Sequence, residues 1–193
     1  MREKFIEIYD KYIHRDGADK LLEWLDDTDF FEAPASTRFH GAHEGGLCEH
    51  SIHVFEELVR LLRAYPEIKV SGETAAIVSL LHDLCKIDCY KPELRSRKTG
   101  RLQRNGKPEW ENYMGYSFEE QFNFGGHGSK SVFLTQRFLV LTDEEAVAIN
   151  CHMGPWDRPS GDYSIGNAFE QWPLAWLLHV ADESATYIRE VER

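Results

Sequence analysis

The stretch LLHDLCKID, residues 80 to 88, places His82 and Asp83 side by side within an apolar run. Burial of a titratable side chain is costly unless a partner pairs with it. The fold must therefore either expose this stretch or bring partners to the pair from elsewhere in the chain.

Apolar residues at helical spacing predict helices along most of the chain. The predicted helices cover residues 5–13, 18–25, 47–65, 74–87, 128–139, 143–152 and 173–191. Ser71 is the expected N-cap of the fourth helix, with Glu73 in its first turn. The sequence therefore predicts an all-α fold, and it shows no internal repeat or linker.

Helical regularity lapses between about residues 88 and 126. The turn sequence RNGK, between RLQ and PEWENYMGYSF, predicts a short β-hairpin in which Pro108 makes one strand an edge. Residues 91–107 also carry one acid, Glu93, and seven basic residues, which are Lys91, Arg95, Arg97, Lys98, Arg101, Arg104 and Lys107. This basic insert is either a solvated loop or a cationic flap that attracts a phosphorylated ligand.

Length and composition restrict the class of protein. At 193 residues the chain is long enough for one domain with a substantial core and too short to expect two. Its N-terminal segment is charged, and no run of about 18 apolar residues occurs in the sequence. Both features predict a cytoplasmic protein without a membrane partner. The four cysteines have no regular spacing, so reduced thiols are expected. The net charge of -11 argues against extended nucleic-acid binding, because such binding neutralises phosphates.

Polar residues interrupt several of the predicted helices and could meet only if the bundle converges on one point. They are His50, His82, Asp83, His127, His152 and Asp182. Imidazoles and carboxylates are ligands for first-row transition metals, and the lack of a cysteine cluster argues against structural zinc. Six ligands exceed the need of one catalytic ion, whereas two ions that share Asp83 would use them all. Each of these histidines by itself could instead be a hydrogen-bonded core residue.

The order His50, His82-Asp83, Asp182 resembles the H…HD…D signature of the HD-domain metal-dependent phosphohydrolase superfamily, an all-helical fold. The other two histidines of the set resemble the additional ligands of the subgroup that binds two metals. The run FHGAHEGGLCEH is similar to a stretch in HD domains of bacterial 3′-to-5′ exoribonuclease type and their stand-alone relatives, as are LLHDLCKI and LLHVADESA. The resemblance covers about residues 39–187 and implies a single HD-domain helical bundle, with residues 1–38 forming helices that pack on it.

The resemblance also implies roles for the ligands. His50, His82, Asp83 and Asp182 would hold one ion, and Asp83 would share a second ion with the other two histidines. A hydroxide activated by the metal would then attack a phosphoester, because such ions lower the pKa of bound water. Mn, Fe, Ni, Co and Zn all tolerate these ligands, so the sequence does not choose the metal.

Lys86 follows Asp83 by three residues and His82 by four, which on a helix would place all three on one face. It resembles the family lysine that contacts phosphate, so Asp83 and Lys86 are the predicted catalytic residues; a solvated helix end is the alternative for Lys86. His53, one turn after His50, could orient the ligands or belong to an exposed stripe.

Further substrate contacts are predicted near these motifs. Tyr90, Lys91 and Arg95 follow the metal-bearing segment and could line the rim of the pocket. Trp156 could stack on a base and Arg158 could bind phosphate, although both could equally be ordinary loop residues.

The predicted function is hydrolysis of a nucleotide or a similar small phosphorylated substrate. Three alternatives stay open: a diiron oxygenase of the same superfamily, a single-strand nuclease, and a non-catalytic nucleotide-binding sensor. Lys86 and the basic insert favour hydrolysis over oxidation, because both supply positive charge for a phosphoryl group.

Overall fold

The computed structural model describes residues 1–157 and 162–191. In this part the chain is mostly helical, as predicted, with one two-stranded antiparallel sheet. None of its helices is long and apolar enough to cross a membrane. The helices are α1 (Arg2–Tyr12), α2 (Ala18–Asp26), α3 (Gly46–Ala64), α4 (Gly72–Leu81), α5 (His127–Thr135), α6 (Asp143–Cys151), α7 (Ser164–Gln171) and α8 (Pro173–Ser184), and the strands are β1 (Tyr90–Leu102) and β2 (Pro108–Phe118).

Helix α4 lies at the centre of the helical packing. Every residue from Ala75 to Leu81 is buried, and a helix that is apolar on all sides belongs inside a core. Helices α3 and α6 pack against α4, and α8 packs against both α3 and α6. The same continuous core includes residues of α1 and α2, such as Phe5 and Leu21. The C-terminal end of α4 therefore opens into the interior of the protein.

The predicted helix over 74–87 is wrong at its end. Ser71 caps α4 as expected, since its hydroxyl accepts a hydrogen bond from the backbone N–H of Thr74. However, α4 stops at Leu81, and Asp83 leaves helical geometry at φ -109° and ψ 20° before a single 3-10 turn over Leu84–Lys86. His82 and Asp83 consequently lie at a break in the chain rather than on one helical face.

The hairpin is longer than predicted, because β1 begins at Tyr90 and takes up most of the basic insert. Pairing runs from Tyr90 opposite Phe118 to Lys98 opposite Trp110, with an irregularity before Leu102. The RNGK turn is where the sequence predicts it, and Gly106 there has a φ of 78° that favours glycine. Two other differences occur in the C-terminal part: α7 was not predicted, and the final predicted helix changes into a π-helix over Ala185–Arg189.

Candidate metal centre

Five of the six predicted ligands converge at the interior end of α4. His50 comes from α3, His82 and Asp83 follow α4, His152 follows α6, and Asp182 lies on α8. The His50 Nε2 atom lies 3.1 Å from Asp182 Oδ1 and 3.8 Å from Asp83 Oδ2. Asp83 Oδ2 is 3.4 Å from His82 Nε2, and Asp83 Oδ1 is 3.5 Å from His152 Nε2. All five side chains are buried.

The rings of His82 and His152 are held by the same local device. Each residue follows the last residue of a helix, and its Nδ1 atom lies 2.8 or 2.7 Å from the carbonyl oxygen three residues earlier, Ser79 or Ile149. A carbonyl only accepts hydrogen bonds, so Nδ1 carries the hydrogen and a neutral ring presents a lone pair at Nε2. Two helix ends thus aim two ring nitrogens at one point.

The Nε2 atoms of His82 and His152 are buried and have no hydrogen-bond partner among the described residues. Their nearest neighbours include the Asp83 carboxylate. Lone pairs of nitrogen and oxygen that face each other at such distances repel unless a proton or a metal cation lies between them. Burial acts to lower the pKa of His152, but the nearby Asp83 carboxylate raises it overall.

A different partner, Glu190, orients His50. Both Glu190 carboxylate oxygens lie 3.1 Å from His50 Nδ1, and one lies 2.8 Å from His53 Nδ1. Burial alone would lower the pKa of His50, but hydrogen bonds with Asp182 and Glu190 raise it to about 10. Burial would raise the pKa of Glu190, and the bonds from His50 and His53 instead lower it. A carboxylate behind an imidazole fixes the ring and increases its basicity as a ligand.

Lys86 lies beside Asp83, as the sequence predicts, although a 3-10 turn rather than a helical face places it there. Its Nζ atom is 2.6 Å from Asp83 Oδ2. Burial would raise the pKa of Asp83, but the positive charge of Lys86 holds it well below its ordinary value. Burial would likewise lower the pKa of Lys86, and Asp83 raises it. Both groups are therefore charged.

Two further neighbours of this centre, His40 and Glu190, are not predicted from the sequence. The His40 and His50 rings have centroids 4.8 Å apart, and the buried His40 Nε2 atom has no hydrogen-bond partner in the described chain. Burial, together with the charges of His50 and Lys86, lowers the pKa of His40 to about 4. His40 belongs to the FHGAHEGGLCEH run, which was a usable signal. Nothing in the sequence distinguishes Glu190 from the other acids near the end of the final helix.

His127 differs from the other predicted ligands. It begins α5, one residue before the predicted start, but no group of three ligand atoms within 4.8 Å of one another includes it in the described residues. It lines a separate cavity of about 210 Å³ together with Glu120, Lys130 and Asp157. Its buried Nδ1 atom has no hydrogen-bond partner in the part of the chain that the structure describes.

The predicted substrate contacts fall into two groups. Tyr90 is half-buried near Lys86, its hydroxyl donates to the Ala35 carbonyl at 3.1 Å, and burial raises its pKa to about 12. Arg95 donates to the Thr37 carbonyl at 3.5 Å and pairs with Glu93.

Of the other predicted contacts, two are exposed and one lies outside the described residues. Lys91 is exposed and pairs with Glu119, and Trp156 is exposed in the 3-10 turn Gly154–Asp157. Arg158 lies outside the described residues.

Comparisons of this chain with models of protein families, with curated proteins and with solved structures find no match. The case for a metal site therefore rests on the geometry of this centre. Its buried histidine and carboxylate groups could hold a metal ion in two overlapping sets, His50–His82–Asp83 and His82–His152–Asp182. A third set consists of His40, His50 and Glu190.

Proposed function

We propose that this protein is a metal-dependent phosphohydrolase of the HD-domain type that cleaves a phosphoester bond in a nucleotide or similar small substrate. One observation carries the proposal: two buried imidazole nitrogens, on His82 and His152, lack hydrogen-bond partners in the described chain and face the carboxylate of Asp83. Native proteins rarely leave buried polar atoms unpaired without a functional reason.

The residues fit a divalent transition metal. Nitrogen and oxygen ligands of this kind suit Mn, Fe, Co, Ni or Zn. The pKa values of Asp83, Asp182 and Glu190 are all lowered despite burial, so these three carboxylates are anionic beside the charged Lys86 and His50. A divalent cation, bound in place of the proton on His50, would pair with these carboxylates. When bound, such an ion lowers the pKa of a coordinated water and polarises a phosphoryl oxygen.

The protein's own residues prepare this chemistry. Asp83 and Asp182 direct carboxylate oxygens to the point where the imidazole nitrogens meet, and Glu190 holds the His50 ring in place. Lys86 has three N–H donors, of which Asp83 occupies one, so others can donate to a phosphate oxygen. Its fixed positive charge would stabilise negative charge on a phosphoryl group during transfer.

We further propose two ions per chain, the second held by Asp83, His152 and His127. His127 lies in none of the close ligand groups. It would therefore have to move towards Asp83 and His152 when the second ion or the substrate binds. Metal content tests whether His127 holds a second ion, because His127→Ala should then reduce two ions per chain to about one. An unchanged metal content in this variant would remove His127 from the set.

The experiment that tests the proposal combines metal analysis with a product screen. We expect purified protein to bind a transition metal and to release phosphate or a nucleotide product when Mn, Fe, Ni, Co or Zn is added. His82→Ala and Asp83→Ala should lose both properties and keep their circular dichroism. His14→Ala is the matched control, since His14 is exposed and lies outside the centre.

Three results would contradict the proposal. Turnover that persists in Asp83→Ala would show that catalysis does not take place at this site. Bound iron that consumes O₂ without hydrolysis would favour the oxygenase. Nucleotide binding without turnover under any metal would favour a sensor.

A further inference from the structure

The hairpin formed by residues 90–118, here called the arm, turns large apolar side chains towards solvent. Leu94 and Met114 form a cross-strand pair, and Trp110 lies on the same face opposite Lys98. The exposed fractions of Leu94, Met114 and Trp110 are 65%, 63% and 56%. Clustered apolar side chains of this size on a protein surface mark interaction sites more often than isolated ones do.

The opposite face of the arm is the one that meets the rest of the chain. Arg95 and Tyr113 pair on this face, and Arg95 donates to the Thr37 carbonyl at 3.5 Å. Gly115, next to them, is buried, and a side chain there would collide with Arg95. Tyr90 donates to the Ala35 carbonyl at the base of the arm, but beyond it the apolar face is the outer one, and Leu94, Met114 and Trp110 stay more than half exposed. A two-stranded hairpin with such an exposed apolar face is marginally stable in water.

Charge differs sharply between the arm and the rest of the chain. The arm holds seven of the 22 basic residues and three of the 33 acidic residues, which leaves 15 basic and 30 acidic residues elsewhere. Arg101, Arg104 and Lys107, near the tip, have no ion-pair partner among the residues that the structure describes. The basic tip is thus complementary to the acidic body of the same protein.

We propose that the arm is a dimerisation element whose outer face packs on the same face of a second copy. Two identical apolar patches are complementary to each other about a two-fold axis, which is the commonest symmetry of soluble oligomers. In that arrangement the arms point in opposite directions, and each basic tip meets the acidic body of the partner. A 13-residue strand is roughly 40 Å long at about 3.3 Å per residue, which is enough to reach across a neighbouring domain. This inference is independent of the proposed hydrolase activity.

Light scattering after size exclusion, over a range of protein concentrations, tests the apolar contact. We expect twice the chain mass of 22.4 kDa for the unchanged protein. Leu94→Glu and Met114→Glu, on different strands of the arm, should each raise the dimer dissociation constant at least about tenfold. Val140→Glu is the matched control, because Val140 is 83% exposed and lies outside the arm. Unchanged circular dichroism and metal content would show that the variants still fold.

Carbodiimide cross-linking of a mixture of ¹⁴N- and ¹⁵N-labelled protein tests the contact of the basic tip. Lys107 should form mixed-label cross-links to acidic residues of the body, and Arg101→Glu with Arg104→Glu should weaken dimerisation. A single-chain mass at every concentration, or a dimer that both Leu94→Glu and Met114→Glu leave intact, would overturn the proposal. Binding of a labelled single-stranded oligonucleotide by a monomer, lost in Leu94→Glu, would instead make the arm a nucleic-acid element.

Discussion

Two polar clusters in this protein, one buried and one partly buried, differ in how completely they are paired. In the closed cluster, the Arg15 guanidinium donates to both carboxylate oxygens of Glu145, at 2.7 and 3.0 Å, and also to Glu73. Glu145 further accepts from the Thr142 backbone N–H in a capping box. The candidate metal centre is open, because the Nε2 atoms of His82 and His152 lack hydrogen-bond partners within the described chain. A fully paired cluster stabilises the fold, whereas a cluster with unpaired ligand atoms is suited to bind a metal cation.

The largest expected effect separates the clusters by their response to metal. At a free metal concentration about 100 times its dissociation constant, binding should stabilise the unchanged protein by about 2.7 kcal/mol. Asp83→Ala should lose this increment, and Arg15→Ala should retain it. Urea unfolding with metal and with chelator measures this increment. Equal increments in the two variants would show that the candidate centre does not bind the metal.

The second effect is on the fold itself. Arg15→Ala leaves the buried Glu145 carboxylate without its main partner and should lower the free energy of unfolding by about 2 kcal/mol, since Arg15 is partly exposed. Arg60→Ala is the control, because it removes an exposed pair with Glu57 and should cost less than about 1 kcal/mol. Metal affinity should stay the same in both variants, and isothermal titration would reveal any loss.

The third effect concerns the orientation of His50. Glu190→Gln keeps the size of the side chain but removes its charge, and it should weaken metal binding about tenfold. Glu57→Gln removes a carboxylate that contacts Arg60 and Arg189 instead, so its affinity should not change. If Glu190→Gln bound metal as tightly as Glu57→Gln does, Glu190 would have no part in positioning His50.

A smaller effect follows from one proton in the closed cluster. Burial would raise the pKa of Glu145, but the hydrogen bonds from Arg15 and Thr142 lower it below its ordinary value of 4.5. The unfolded chain therefore takes up this proton first, so the stabilisation is present above pH 4.5 and is lost as the pH falls through the lower, folded value. The stability difference between the unchanged protein and Arg15→Ala should shrink over this range. A constant difference down to pH 3 would exclude Glu145 as its source.

The smallest effect is expected at the carbonyl that holds His82. Ser79→Ala keeps this backbone acceptor and removes only a hydroxyl that donates to Ala75, so stability should fall by no more than about 1 kcal/mol. Metal affinity, measured by the same titration as for Glu190→Gln, should be unchanged. A marked loss would show that the ring depends on more than its backbone anchor.

The sequence predicts the elements well where a single periodic pattern decides them. The helical cores of α3, α4 and α6 and the cap at Ser71 follow from apolar spacing and local hydrogen bonding. The early end of α4 does not, because LLHDLC continues the apolar pattern beyond the point where the backbone turns. The hairpin turn is predictable from RNGK, but the length of its strands is not, since charged residues dominate β1.

The site is predictable as far as polar residues stand out from apolar surroundings. His50, His82, Asp83, His152 and Asp182 do so, and the structure brings them together. Glu190 lies 140 residues from His50 in the chain, so only the tertiary fold can pair them. The same holds for Arg15 and Glu145, which are 130 residues apart.

The π-helix that precedes Glu190 links the centre to the end of the last helix. The segment lies at the end of the helix and exposes Tyr187 and Ile188, and such exposed terminal segments are the ones that open locally most easily. When this segment opens, His50 loses the carboxylate that holds its ring, so a bound ion loses one oriented ligand at the same moment. The residence time of the metal would then be set by how often residues 185–190 unwind, and slow metal exchange would be a direct readout of order in this segment.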